Sequence, residues 1–347
     1  MMKRAFAYLL LPVLAFTSCI RDEIAECPPM QITVAVKDKN YFNIDDVAAK
    51  GLIEKKDENL PFREYVSTLY YIVHDEAGNT VAEQHTYEVT GDAKEEVINL
   101  PSDLPYGKYR VTVWGNMKSD RPLGDNPADA ELESSDAANN DVYLADTEVD
   151  FRLGSEHHTV ELERTKGRLI IKAEGLPDYI SFSEKTVFDV YSVITSGFDY
   201  SRLTDLYSQT RWTQKNEMTT HTLTCPSQQF EKSTLDVAFH DESVARDGGF
   251  RSLYPEEIKI TMGRNELTVV KYIFVEEGGE EPDPDNPDNP DPTPDPDPDP
   301  DNPDKPDPEP EPEPDPDPSP DPEPEGKFYI YVLVNDNWEM DHSMEID

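Results

Sequence analysis

Basic residues and cysteines are scarce in this sequence of 347 residues. The 31 lysines and arginines are outnumbered by 73 aspartates and glutamates, and the formal net charge is −42. Because a strongly negative field repels phosphates, we expect no nucleic-acid partner and no attachment to anionic membranes through protein charge. Only three cysteines are present, which excludes a framework of several disulfides.

Long apolar runs are also missing. No stretch reaches the roughly 18–20 apolar residues of a transmembrane helix. The most prominent run, Ala5–Phe16, has twelve residues and follows Lys3 and Arg4. A short basic start followed by an apolar run of this length is typical of a secretory signal peptide. The sequence therefore predicts export without a membrane-spanning helix.

The residues after this run predict lipidation. Thr17 and Ser18 are small, and Cys19 follows them directly. We predict a lipoprotein signal peptide over residues 1–18, cleaved so that lipidated Cys19 starts the mature protein. Several acyl chains, palmitate among them, then hold the protein stably at a membrane. The alternative is an ordinary secretory signal with an incidental cysteine.

Residues 19–29 form a polar tether. Its charged cluster, Arg21, Asp22 and Glu23, begins two residues after the lipidation site. Two interpretations remain open. The cluster is either a solvated spacer or a sorting signal that directs the lipoprotein to the outer face of the outer membrane.

Two further cysteines, Cys27 in the tether and Cys225 in a later strand or loop, carry no lipid in this interpretation. An exported protein folds in an oxidising compartment, where these thiols could form one disulfide. The sequence does not show that they meet. Two ordinary thiols are therefore the alternative.

Short alternating apolar segments fill the chain between residues 30 and 275, with turn residues between them and no long 3.6-residue period. This pattern is typical of β-sandwiches. We predict an all-β fold with two tandem sandwich domains, residues 30–163 and 164–275.

The same pattern gives three local expectations. A short helix is expected near residues 45–50, inside a polar stretch. Residues 117–140 are rich in Asp, Ala, Asn and Ser and predict a long surface loop. Residues 148–153 and 157–162 predict a hairpin that closes over Gly154 and Ser155.

An acidic proline-rich tract occupies residues 276–326. It contains 22 of the acidic residues, 20 of the 31 prolines and a single basic residue, Lys305. Frequent proline prevents helix and sheet ladders, and like charges repel, so we predict a disordered polyproline-II spacer. Calcium binding is the alternative, but no glycine-containing loop arranges the carboxylates.

A strongly apolar segment, Lys327–Val334, follows the tract. Because a single strand is not stable alone, we predict that residues 327–347 complete the second sandwich and that the tract is an insertion. The alternative is that Phe328–Val334 docks onto another molecule by β-strand addition.

Motifs for catalysis are missing from the sequence. It has no glycine-rich phosphate loop and no Gly-x-Ser-x-Gly nucleophile motif. Adjacent residues in a strand point to opposite faces, so His157 and His158 are poorly placed to share a metal. We expect no enzyme activity, no metal and no cofactor other than the covalent lipid on Cys19.

Four segments in order along the chain carry a resemblance to a known family. They are Cys19–Pro28, the strand-like Leu104–Asn116, the junction segment Val160–Gly167 and the C-terminal Phe328–Trp338. Together they resemble the lipidated start, the late strand of domain one, the domain junction and the last strand of FimB-like fimbrial anchor subunits.

This resemblance implies two transthyretin-like β-sandwiches and a surface-exposed lipoprotein of the outer membrane. It also implies a role at the base of a short fimbrium, or pilus, where the protein holds the shaft and limits its length. The implied partners are the outer membrane, through the lipid, and the shaft subunit, through β-strand addition. The acidic proline-rich tract departs from the family's pattern.

Two other functions remain open at this stage. A polymerising or tip pilin would lose its first strand by cleavage after an arginine. The candidate cleavage points are Arg63, Arg152 and Arg164. A glycan-binding lipoprotein for nutrient uptake would use exposed aromatic residues. The candidates for such a platform are Tyr70, Tyr71 and Trp212.

Overall fold

The computed structural model describes residues 28–124, 127–213, 217–228, 231–241, 252–283, 287–288, 326–334 and 337–346, with the backbone alone for 342–346. Within these residues the protein is almost entirely β-structure. It has one short α-helix, α1 (Ile44–Ala49), and one 3₁₀ turn (Phe62–Glu64). The predicted all-β sandwich fold is confirmed.

The strands fall into two groups along the chain. The first eight are β1 (Gln31–Val36), β2 (Thr68–Asp75), β3 (Thr80–Glu88), β4 (Glu96–Asn99), β5 (Gly107–Gly115), β6 (Asp129–Glu131), β7 (Tyr143–Phe151) and β8 (His157–Arg164). The other ten are β9 (Gly167–Glu174), β10 (Phe182–Thr195), β11 (Tyr200–Arg211), β12 (Glu217–Thr224), β13 (Ser233–His240), β14 (Ser252–Leu253), β15 (Ile258–Ile260), β16 (Leu267–Glu276), β17 (Gly326–Val334) and β18 (Asn337–Ile346).

The first sandwich is built from one sheet with the strand order β3-β2-β5-β7-β8-β1-β4. β7 and β8 pair only at Tyr143–Arg164 and Leu144–Glu163. The sheet bends there, and β1, β4 and β8 pack across the other four strands. Inward-facing residues of both layers form one hydrophobic core. The alternation of buried and less buried residues in β1 follows from the two-residue period of a strand with one face on the core.

The second sandwich has two layers. One has the order β11-β10-β13, with β14 and β15 both paired to β13, and the other has the order β12-β9-β16-β17-β18. Phe239 of the first layer contacts Tyr272 and Phe328 of the second, at ring-centroid distances of 5.9 and 5.8 Å. These aromatic residues lie in the core that joins the two layers.

The proline-rich tract connects two neighbouring strands. β16 ends at Glu276, and β17 begins at Gly326 and pairs antiparallel with β16. Most of the tract lies outside the described residues, so the polyproline-II spacer stays a prediction. Pro287 and Asp288 are described, and they lie against the sheet, where they hydrogen-bond to Lys271.

The outer face of this sheet is also covered. Ile170 of β9 and Val269 of β16 are fully buried there under Tyr41, Ile44 and Val47, which belong to the segment around α1. Since α1 comes between β1 and β2, sequence from the first half of the chain packs on the second sandwich. This double burial explains why β16 reads as a nearly continuous apolar run.

The prediction of a surface loop at 117–140 is wrong in placing the segment at the surface, although most of its described residues are irregular. β6 lies within it and pairs with β10 of the second sandwich. Met117, Ala130 and Leu132 are buried in a cluster that also contains Trp114. The apolar residues of this segment follow neither helical nor strand spacing, and they are buried because the two sandwiches pack together around them.

The predicted hairpin at 148–153 and 157–162 is also wrong beyond its turn. A bridge joins Arg152 to Ser155 beside Gly154, which has a positive φ of 81°. From there β7 continues along β5, whereas β8 pairs in parallel with β1. The two strands therefore separate into the two layers of the first sandwich.

Candidate assembly surface

The C-terminal hairpin forms one edge of the second sandwich. Within the described residues β18 pairs only with β17 and is the last strand of its layer. A strand at the edge of a sheet presents unpaired backbone donors and acceptors, which can pair with a strand from another chain. The β18 edge is therefore a candidate site of assembly.

A groove of about 380 Å³ lies beside this edge. We call it the C-terminal groove, and its walls are β15, the beginning of β16 and the adjoining ends of β17 and β18. Three apolar side chains on its walls are exposed: Phe42 by 68%, and Val334 and Met340 by 38% each. Charged residues of both signs complete the lining. The groove thus offers apolar contacts next to free strand backbone.

Asn43 positions Phe42 on the wall of the groove. The Asn43 side-chain amide donates to the carbonyl of Leu267 at 2.8 Å and accepts from the Leu267 N–H at 2.9 Å. The backbone N–H of Phe42 donates to the carbonyl of Asn265 at 3.1 Å. These bonds hold the segment before α1 to the beginning of β16, which leaves the Phe42 ring exposed.

The opposite edge of the second sandwich is less suited to strand addition. β11 is twelve residues long and alternates between exposed and half-buried residues, most of them polar. Arg202 in this strand has a positive φ of 52° and forms an ion pair with Glu131 at 2.8 Å. Charged side chains and a local backbone distortion are features that protect edge strands from pairing with other chains.

The first part of the predicted lipid site lies outside the described residues. This applies to Cys19, to the charged cluster Arg21, Asp22 and Glu23, and to Cys27. Lipidation, the sorting signal and any disulfide from Cys27 therefore stay predictions. None of the helices in the described part of the chain is long and apolar enough to cross a membrane.

Cys225 is a buried free thiol between the two sandwiches. Its Sγ donates a hydrogen bond to Oε1 of Glu133 at 3.3 Å. Burial, together with the nearby Glu133 carboxylate, raises the pKa of this thiol well above its usual value. A thiol in this state is a poor nucleophile.

The three candidate cleavage points differ in accessibility. The side chains of Arg63 and Arg152 are exposed, by 43% and 71%. Arg164 is buried, with its guanidinium hydrogen-bonded to Asp141 at 2.8 Å and over the ring of Tyr41. Cleavage after Arg63 or Arg152 is compatible with this exposure, and cleavage after Arg164 is not.

The aromatic residues considered for a glycan platform do not share a surface. Tyr70 is 1% exposed and its hydroxyl donates to Glu83 at 2.8 Å. Tyr71 packs on the core of the first sandwich and Trp212 on that of the second. Among the residues described, no group of three or more His, Cys, Asp or Glu side chains is arranged to hold a metal.

One polar cluster was missed by the sequence reasoning. Lys271, in the middle of β16, has a side chain only 1% exposed and contacts Glu174 and Asp288. Its signal in the sequence is a lysine inside the run Leu267–Phe274, in which Thr268 is the one other polar residue. A charge in a strand that is buried on both faces requires a charged partner, and the tract supplies one.

The fold and its open edge define an all-β protein of two joined sandwiches with a candidate surface for strand addition. No family model matches the sequence, and no curated protein matches it. Several solved structures are similar to part of this chain.

These structures include proteins of fimbriae and adhesion. A candidate adhesin from Bacteroides ovatus has a TM-score of 0.46 and 14% identity, over 73% of this chain and 90% of that one. A candidate adhesin from Bacteroides thetaiotaomicron has a TM-score of 0.44 and 16% identity, over 71% and 92%. The fimbrial anchor protein Mfa2 from Porphyromonas gingivalis has a TM-score of 0.42 and 13% identity, over 72% and 92%.

Proposed function

We propose that this protein is a surface-exposed lipoprotein of the outer membrane that anchors a fimbrium. In this proposal Cys19 carries the lipid, and the folded part binds the last shaft subunit, caps the base and limits fimbrial length. The observation that carries the proposal is the open β18 edge beside the C-terminal groove, in a chain whose first nineteen residues read as a lipoprotein signal.

β-Strand addition is the mode of binding that this surface suits. A strand donated by the shaft subunit would pair with the backbone of β18, and the side chains on one of its faces would lie next to Met340. Main-chain hydrogen bonds supply affinity in this mode, and the side-chain positions supply specificity. The donor strand is expected to be apolar on the face that enters the groove.

An anchor must also keep its own first strand. β1 lies between β8 and β4, and its residues Ile32 and Val34 are fully buried. If the chain were cut after Arg63 and β1 left, the first sandwich would lose a central strand. The lipid would leave with it, so a cleaved form would be a polymerising or tip subunit and not an anchor.

The first test is mass spectrometry of the N-terminus of the protein from intact outer membranes, with sheared fimbriae measured separately. We expect acylated Cys19 in the membrane fraction and no protein in the sheared shafts. A form that starts at Glu64 in the sheared fraction would show a polymerising pilin and overturn the anchor proposal.

The second test places a charge in the C-terminal groove. Met340→Lys should release fimbriae into the medium, because an apolar donor residue would then face an ammonium group. Leu203→Lys on the β11 edge is the matched control, since Leu203 is 44% exposed on the opposite edge of the same sandwich. Equal fimbrial retention in the two variants would remove the groove from the proposal.

A further inference from the structure

The side chains of Lys271, Trp338 and Lys50 converge on Asp288 at the outer face of the second sandwich, and we call this group of side chains the Lys271–Trp338 pocket. The side chain of Lys271 is 1% exposed, and its Nζ lies 2.9 Å from a carboxylate oxygen of Glu174. On the other side, Nζ lies 2.7 Å from Oδ1 of Asp288 and donates to the carbonyl of Pro287 at 3.1 Å. The lysine therefore bridges the sheet and the proline-rich tract.

Trp338 is the second member of this group. Its indole N–H donates to Oδ2 of Asp288 at 2.6 Å, and its ring centroid lies 5.7 Å from Nζ of Lys271. Lys50, next to α1, adds a second positive charge 3.8 Å from the Asp288 carboxylate. Because β18 carries Trp338, the pocket shares a strand with the edge described above.

Four of these contacts involve one dipeptide, Pro287–Asp288. Both carboxylate oxygens of Asp288 are hydrogen-bonded, the carbonyl of Pro287 accepts a bond, and Pro287 is itself buried. Every Pro-Asp unit has an aspartate carboxylate that can be hydrogen-bonded, a proline carbonyl that can accept a hydrogen bond and a proline ring that can be buried. The pocket has the chemistry of a receptor for that unit.

The tract offers this unit repeatedly. Pro-Asp occurs 13 times between Pro282 and Asp321. The entropic cost of closing a loop rises slowly with its length, so many repeats can reach one pocket at similar cost. Repeats on the same chain are also present at high effective concentration.

We propose that the Lys271–Trp338 pocket is a binding site for Pro-Asp peptide, and that the repeats of the chain's own tract exchange in it. Pro287–Asp288 is one register among several. The pocket fixes the tract beside β18, and the choice of repeat sets how many tract residues lie on either side of the attachment point. The attachment point can therefore move along the tract and is not one fixed ion pair.

The charge state of Asp288 supports such binding at neutral pH. Burial raises the pKa of the carboxyl, but hydrogen bonds from Lys271 and Trp338 outweigh it, and the pKa is lowered overall. The bound carboxylate therefore stays ionised down to pH values below its ordinary pKa of about 3.9. Above that pH the Pro-Asp unit is expected to stay bound to Lys271 and Trp338.

The experiment uses fluorine NMR of the full mature chain labelled with 5-fluorotryptophan. The sequence contains three tryptophans, and Trp338→Phe assigns the resonance of Trp338. The indole that bonds Asp288 should report occupancy of the pocket directly. The wild-type protein gives the chemical shift of the Trp338 resonance when the pocket is occupied.

Three variants test whether several Pro-Asp repeats exchange in the pocket or Pro287–Asp288 alone binds there. Asp288→Asn should leave the Trp338 resonance close to its bound position, because other repeats replace the lost one. Changing every Asp of the Pro-Asp units to Asn should move the resonance to an unbound position. Changing the five Pro-Glu units to Pro-Gln is the charge control and should leave it in place.

Addition of a short Asp-Asn-Pro-Asp-Asn-Pro peptide to the all-Asn variant should restore the bound resonance, and the same peptide with asparagine for each aspartate should not. This rescue also shows that the variant is folded. The proposal is overturned by loss of the bound signal in Asp288→Asn alone, by its persistence in the all-Asn variant or by failure of the rescue.

Discussion

The ammonium group of Lys166 lies 3.4 Å from Oε1 of Glu133, with side chains 0% and 7% exposed. The same ammonium donates to the carbonyls of Leu132, Ala137 and Ala138 at 2.8, 3.0 and 2.9 Å. Lys166 lies at the junction of β8 and β9, and its partners lie in the segment that packs between the sandwiches. This network fixes the first sandwich to the second.

Replacement of Lys166 by methionine should therefore be strongly destabilising. The change leaves the Glu133 carboxylate and three carbonyls buried without their cation, and the loss of one partner from a buried pair costs about 3–5 kcal/mol. We expect a lower midpoint of urea unfolding. Lys55→Met is the control, because the Lys55–Asp45 ion pair is exposed and should contribute little. Similar midpoints for the two variants would contradict a role of Lys166 at the junction.

A second buried lysine gives a prediction for alkaline pH. Lys185 donates to Oγ1 of Thr220 at 2.9 Å, and burial lowers the pKa of its ammonium from 10.5 to about 8. Between these values the unfolded chain binds more protons than the folded one, so the unfolding free energy of wild type should rise with pH.

Lys185→Met lacks this titration. We expect this variant to have a higher unfolding free energy than wild type at pH 8. This difference should shrink as the pH rises from about 8 towards 10.5, by up to about 1.4 kcal/mol per pH unit. Urea unfolding of both proteins at several pH values measures the difference. A difference that does not change with pH would show that the lysine is not buried uncharged in the sandwich.

The thiol of Cys225 should be unreactive in the folded protein. It is fully buried and bonded to Glu133, and its raised pKa leaves little thiolate at neutral pH. Without any reductant, maleimide should label Cys225 only after unfolding in urea, and the labelled peptide can be identified by mass spectrometry. Absence of label on Cys225 in urea, reversed by reductant, would instead support the disulfide with Cys27.

Two glycines with similar backbone angles test close packing. Gly175 has φ 70° and a Cβ there would lie 2.2 Å from the carbonyl oxygen of Phe274, whereas Gly51 has φ 69° and open space. Alanine at either site suffers the left-handed strain of about 1–2 kcal/mol. Gly175→Ala should cost about 1–3 kcal/mol more, because backbone must shift. Equal unfolding free energies would show that β9 can move away from β16.

Several strands were predictable because their residues alternate. β1 and β13 face a core with one side, and their spacing shows it directly. β11 (Tyr200–Arg211) was not predicted, because a polar edge strand has no fully buried face and its sequence therefore lacks alternating apolar residues. The C-terminal groove was not predictable, since it combines strands with the distant Phe42.

The sequence alone determined the all-β class, the position of the apolar strands and the signature of a lipidated start, because each depends on local spacing or composition. The tertiary structure decided which layer β8 joins, how the segment around β6 is buried and why Lys271 is tolerated in an apolar strand. Those outcomes depend on partners far along the chain: β1 for β8, β10 for β6 and Asp288 for Lys271. Backbone pairing and charge compensation between such distant segments leave no periodic signal in the sequence.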